Sequence, residues 1–347
     1  MLILIYFALG SSVSQLRSYI AAQRDLSDGV TLIPILLVVF IGSSLLSSFL
    51  SIGYTVGGVV GSLAMVESVA NEHQSALLPA HSDLDERMPI TANLRSSIRL
   101  LQRAGASRWR GAGHYTLYSA VHFIFVFWSF ICGAGILGVA AISAGVTIVL
   151  ARQHMLCTHR MVVHPAVAAT ATLLDPWMEY RILFLPSLIH AVVQQGTILL
   201  FLAPFRILEA EHIFTPDSDS ASYSHWPSPT LLFSVQILFL VFLLLILSLI
   251  LLLHTSIVLT RIEAALLPAE MTLLGPFDRQ FKAVFGSSRM DVDFSWSRSA
   301  AILRTVWRSS WTLDTSLRVG KVYAKMLGLQ SVVLLVGLGS GFIAMRL

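Results

Sequence analysis

Five stretches of the chain, at about 31–66, 115–150, 182–205, 230–260 and 327–345, consist almost wholly of apolar side chains. Aspartate, glutamate, lysine and arginine are absent from their interiors and gather in blocks between them. A helix in a soluble core shows one apolar stripe with a polar face opposite. These runs are apolar on every side, and about twenty such residues are what a hydrocarbon core about 30 Å thick demands. The stretch from Phe233 to Leu253, nearly all Leu, Ile, Val and Phe, meets that demand by itself. The pattern predicts an all-α, polytopic integral membrane protein, built as a single membrane domain over 1–347.

Two of the runs are too long for one crossing. Thirty-six residues of helix measure about 54 Å, and even a 40° tilt fits only about 39 Å into the core. So 31–66 and 115–150 each fold back as a hairpin or project from the membrane. In 115–150 the turn falls in Cys132-Gly133-Ala134-Gly135-Ile136-Leu137-Gly138, where glycines permit reversal. In 31–66 a hairpin near Ser47-Ser48 and a single crossing both stay open. The count is six or seven spans, with five as the floor. Met1 to Gly10 is apolar but only about half a span long. It reads as an interfacial or partly inserted segment, or as the remnant of a longer span.

Charge orients the spans. Segment 67–114 carries six Arg and 260–326 carries ten Arg or Lys, whereas 206–229 sets one Arg against Glu209, Glu211, Asp217 and Asp219. By the positive-inside rule the two basic loops face the cytoplasm and the acidic loop faces away. Segment 151–181, with Arg152, Arg160 and Arg181, then falls inside as well.

The basic loops share a loose plan: Glu67 then Leu77-Leu78-Pro79, and Glu263 then Leu266-Leu267-Pro268. Each also holds an amphipathic stretch. Leu94, Ile98 and Leu101 share a face beside Arg95, Arg99 and Arg103; Ile302, Leu303 and Val306 run into Trp307 and Trp311, with Arg298, Arg304 and Arg308 opposite. These are expected as interfacial helices, with arginines toward anionic headgroups and the tryptophans at headgroup depth. Gly53, Gly57, Gly58 and Gly61 allow close helix approach, within the chain or in a homo- or hetero-oligomer.

Composition adds exclusions. With 55% hydrophobic and 12% charged residues and a mean hydropathy of +0.76, the chain is no disordered polymer. Two cysteines do not make a disulfide scaffold. The net charge of +4 belongs to the cytoplasmic loops, and no basic stripe interleaved with aromatics points to nucleic acid.

Candidate chemistry is sparse. His154, Cys157, His159 and His164 lie within eleven residues and are types that ligate metals. The histidines are five apart, however, which turns each about 140° from the last on a helix. The tighter histidine boxes of membrane desaturases are absent. His190, Gln194 and Gln195 form the most polar patch in any run and suit a pore or substrate lining. His122 and His254, also within or near apolar runs, are expected to hydrogen-bond between helices. No run has an interior carboxylate, so a proton- or sodium-coupled transporter lacks its usual coupling group. Neither a phosphate-binding Gly-x-x-x-x-Gly-Lys-Ser/Thr loop nor a Gly-x-Ser-x-Gly elbow is present.

The stretches Thr260-Arg261-Ile262-Glu263-Ala264-Ala265-Leu266-Leu267-Pro268, Gly275-Pro276-Phe277-Asp278-Arg279-Gln280-Phe281 and Val319-Gly320-Lys321-Val322-Tyr323-Ala324-Lys325 resemble segments of uncharacterised fungal polytopic membrane proteins. Some of those carry ubiquitin-carrier or ubiquitin-conjugating labels. The resemblance covers about the C-terminal quarter of the chain. Such a label implies a nucleophilic cysteine in a soluble fold; here Cys132 lies in an apolar run and Cys157 has no His-Pro-Asn context. The residues point to a non-enzymatic membrane component, a carrier or channel-like protein or an accessory scaffold. The alternative is a membrane-embedded enzyme on a lipid or isoprenoid substrate, working through the His154–His164 region.

Overall fold

A computed structural model describes residues 32–67, 94–103, 109–163, 176–210, 229–267 and 296–344. Among them the chain is all-helical. The order is α1 (Leu32–Ile52), a π-helical segment (Gly53–Val60), α2 (Gly61–Val66), α3 (Leu94–Arg103), α4 (Ala112–Ile131), α5 (Ile136–Val149), α6 (Ala151–Val162), α7 (Pro176–Ala210), α8 (Pro229–Ala265), α9 (Trp296–Ser310) and α10 (Leu313–Ala344). Four helical stretches are long and apolar enough to cross a bilayer: Gly42–Val66, Trp177–Ala203, Val235–Ala265 and Leu313–Gly337. The pair α5 and α6, bent by 58° at Leu150, makes a fifth if it is one span. The chain is a membrane protein by these helices.

The glycine-rich turn lies where its residues suggest. Helix α4 stops at Ile131, Gly133 takes φ +74°, and α5 begins at Ile136. That left-handed backbone suits a residue without Cβ. The first long run behaves differently: Ser47 and Ser48 sit inside α1, so no hairpin forms there. The Ser48 hydroxyl returns to the Ser44 carbonyl at 2.9 Å, which satisfies it within the helix. Loop boundaries also move. Residues 260–265 belong to α8, 176–181 to α7, 206–210 to α7 and 313–326 to α10, so helix extends past each apolar run into charged sequence.

Cα packing divides the chain into two compact units, one of 1–55 with 324–347 and one of 56–323. In the first, α1 meets the end of α10. The Gln330 amide donates to the Phe49 carbonyl at 3.2 Å. A Cβ added at Gly337 would come within 2.9 Å of a Leu45 methyl, so a larger residue there would make the Leu45 side chain turn aside.

The second unit has its apolar core at one end of its helices. Ala151 and Met155 of α6, Ile182 and Leu183 of α7, Val258, Leu259 and Ile262 of α8, and Ile302, Leu303 and Val306 of α9 pack as one cluster. The other half of α8 is bare: Phe239, Leu240, Leu243, Leu247 and Ile250 are exposed. Exposed apolar surface on a helix this long is what lipid covers. Gly111, at φ +72°, starts α4 against α6, where an added Cβ would meet Arg160 Cβ at 3.1 Å. Gly61 packs toward Tyr323, the one contact described for the Gly53–Gly61 face.

Candidate functional site

The polar residues of the second unit converge at its core end, where sequence reading had placed loops. Helix α8 continues through Glu263, whose side chain is fully buried. Its carboxylate is met by α6: His154 Nδ1–H donates to Oε1 at 2.6 Å and the Thr158 hydroxyl to Oε2 at 2.6 Å. His159 Nε2–H donates to the Glu263 backbone carbonyl at 2.7 Å. Residues 154 and 158 share a helix face because they are one turn apart; 159 follows beside them. A buried carboxylate is tolerable only when its oxygens are so matched.

These bonds place a proton on each histidine. His154 carries a proton on Nδ1, and its side chain is about one-third exposed. His159 carries its proton on Nε2 and is buried, and its Nδ1 has no partner among the described residues. Cys157 is a buried free thiol. His164 lies outside the described residues. No three His, Cys, Asp or Glu side chains come together as a metal set among the described residues. The 140° spacing explains why: His154 and His159 approach Glu263 by different routes, one to the carboxylate and one to the main chain.

From His154 a file of polar groups runs into the apolar helices. Tyr118 of α4 stands edge-on to the His154 ring, with centroids 5.5 Å apart, and is stacked on His122 at 6.1 Å. His122 Nε2 lies 3.2 Å from Ser143 Oγ and 3.4 Å from Thr147 Oγ1. The Thr147 hydroxyl donates to the Ser143 carbonyl at 2.9 Å, and the Gln195 amide of α7 donates to Ser143 Oγ at 2.9 Å. Beside the file, Thr255 of α8 donates to the Leu252 carbonyl at 3.0 Å, so it accepts from His190 Nδ1–H at 3.2 Å. Of the sequence-predicted lining, His190 and Gln195 are thus bonded between helices, Gln195 is buried and Gln194 is half-buried.

A second polar cluster joins α2, α8, α9 and α10. Arg261 of α8 donates through Nε to the Met65 carbonyl at 2.9 Å, through Nη1 to Ser310 Oγ at 3.2 Å, and through Nη2 to Thr315 Oγ1 at 3.4 Å. Arg318 of α10 reaches Glu67 Oε2 and the Glu67 carbonyl, each at 3.4 Å. Arg318 and Glu67 are both buried. Arg152 Nε meets buried Glu179 of α7 at 2.9 Å. Run-length reading missed these five residues as site members because it ends a span at its first charge.

His254 differs from the other membrane histidines. It is buried, and neither ring nitrogen has a hydrogen-bond partner among the described residues. The expected helix-to-helix bond is absent there; instead Trp307 and Trp311 stand edge-on at 4.5 and 4.3 Å. Trp307 is half-buried against the core cluster, while Trp311 is largely exposed. Helix α9 buries Ile302, Leu303 and Val306 on protein and leaves Arg304 and Arg308 exposed. On α3, Leu101 and Ser97 are buried and Arg95 and Arg99 exposed. The side chains of Arg103 and Arg298 lie outside the described set.

Comparison with known proteins adds no relative: no family model, curated protein or solved structure matches the chain.

Proposed function

We propose that the chain is a non-enzymatic, multi-pass membrane component of the carrier or channel class, and that small polar solutes pass beside the α4–α5–α7–α8 polar groups. The observation that supports this is the file itself. Gln195, Ser143, Thr147 and His122 bond between helices, and ring contacts through Tyr118 continue to His154 and its bond with Glu263. Gln195 is sixteen residues beyond Glu179, about 24 Å along α7. In apolar helices, polar groups facing the bundle interior mark solute and ion paths.

Six spans fit this reading. They are α1 through α2 as one crossing, α4, α5, α7, α8 and α10. Loops 67–114 and 260–326 and helix α6 then lie in the cytoplasm, and the acidic loop outside. The exposed arginines of α3 and α9 face anionic headgroups at that surface. Cysteines introduced at Ser222 and Ser288, in a background lacking Cys132 and Cys157, will label from opposite sides of sealed membranes; labelling from one side overturns the orientation. The likeness of 260–281 and 319–325 to fungal polytopic proteins belongs with this reading, without the ubiquitin chemistry.

Purified protein in liposomes, followed by light scattering, tests the carrier function. Reswelling with glycerol, urea or small amino acids is expected to exceed that of empty vesicles and to fall with Gln195→Leu. Permeation equal to empty vesicles for every solute overturns it. The second reading, an enzyme on an amphiphilic substrate, rests on one feature: Glu263 orients the partly exposed His154 through Nδ1, the arrangement of a general base.

A further inference from the structure

We infer that His122 is a proton-holding site inside the helix bundle, which makes the proton the coupling ion of the carrier proposed above; the inference rests on that reading. Three features of the file lead there. His122 Nε2 has two hydroxyls in reach, at 3.2 and 3.4 Å, with opposite bonding needs. Ser143 Oγ already accepts from Gln195, so its own hydrogen is available to Nε2. Thr147 already donates to the Ser143 carbonyl, so its oxygen accepts from Nε2–H. One nitrogen cannot do both at once. With a proton on Nδ1 alone, His122 accepts from Ser143 at Nε2; with a second proton on Nε2 it donates to Thr147, so the site accommodates the added proton without moving a helix.

A route in is part of the proposal. A proton taken at His154 passes through water beside the Tyr118 ring, whose centroid lies 5.5 Å from that of His154. Water carries it from there to the Thr147 hydroxyl. The Thr147 hydroxyl turns from the Ser143 carbonyl at 2.9 Å to His122 Nε2 at 3.4 Å and delivers its proton there. Each hydroxyl ends with one hydrogen, and the net change is one proton gained by His122. The groups facing His122 are Tyr118 on its own helix and Ser143 and Thr147 on α5, with Gln195 of α7 behind Ser143. The carboxylate nearest along the file is Glu263, beyond Tyr118 and His154. The interior carboxylate whose absence argued against proton coupling is thus replaced by a histidine inside and a glutamate at the mouth.

Pyranine-loaded liposomes containing the full chain test this, with a valinomycin potential and with each solute that permeates. Proton entry is expected to exceed that of empty vesicles. His122→Gln keeps a donor and an acceptor but holds no proton, and is expected to slow entry at least tenfold while solution melting and solute-free reconstitution stay as in wild type. Equal proton entry for wild type and His122→Gln overturns the assignment of His122. Solute permeation with no proton entry above empty vesicles overturns proton coupling and leaves the carrier reading standing. Loss of both signals in wild type overturns the carrier reading itself.

Discussion

Glu67 and Glu263 each follow an apolar run and precede a Leu-Leu-Pro, yet they are buried by different means. Glu67 is met by the guanidinium of Arg318, so its neighbourhood is an ion pair. Glu263 is met by an imidazole and a hydroxyl on its side chain and by a second imidazole on its carbonyl. The pair at Glu67 joins α10 to the end of α2, and through Thr315 it adjoins Arg261 of α8. The set at Glu263 includes a partly exposed imidazole whose ring meets that of Tyr118 in α4. One glutamate fastens; in the carrier reading proposed above, the other also stands on the path. Full-charge pairing favours a fixed structure; bonding to groups that can exchange protons leaves room for function.

Substitutions will separate the two ends. The largest effect is expected for Arg318→Ala, which takes the guanidinium away from a buried carboxylate and costs about 3–5 kcal/mol; thermal melting in detergent should fall accordingly. Joint replacement, Glu67→Leu with Arg318→Met, removes both charges and should restore most of that loss. If the single and double variants melt alike, Glu67 is not held by an ion pair. Next comes Glu263→Ala, which leaves the His154 and Thr158 donors unmatched at about 1–3 kcal/mol each. Glu263→Gln retains an acceptor and should melt within about 1 kcal/mol of wild type, while proton entry falls. A large melting loss for Glu263→Gln with transport unchanged would reverse the contrast between the two glutamates. The smallest effect is expected at His254, which has neither kind of partner. His254→Phe removes two unmatched nitrogens and keeps ring contact with Trp307 and Trp311, so melting should rise by about 1 kcal/mol. A fall instead would show that His254 has a polar partner after all.

Run length located α7, α8 and most of α10 because lipid acts on total apolarity, which a sequence displays directly. The α4–α5 turn was legible through its glycines for the same reason. What run length hides is the helix beyond the run. Arg261 and Glu263 precede Pro268, and a helix continues until something stops it; that signal was in the sequence, but the apolar-run reading put both residues in the basic loop 260–326. Arg318 offered no comparable sign, since its helix starts fourteen residues before the apolar run at 327. The partners of Glu263 were half visible. His154 and His159 stood out as a cluster, but their spacing of five spoke only of direction around a helix and not of what they face. His122 was recognised as a membrane histidine, while Tyr118, Ser143 and Thr147 were not, because isolated hydroxyls in an apolar run are ordinary and gain meaning only across helices.

The bare half of α8 bears on how such a chain can change over generations. Phe239, Leu240, Leu243 and Leu247 are exposed among the described residues, and a bilayer around them asks for greasiness and not for shape. One aliphatic residue there can replace another almost freely. At the other end Arg261 and Glu263 each answer to several specific groups, so few replacements survive. Drift would then erase most of the letters of this helix while sparing a few widely spaced polar ones. Kin of this protein are best sought by that sparse pattern, an arginine and a glutamate two apart before Leu-Leu-Pro, matched to a His-x-x-x-Thr-His on another helix.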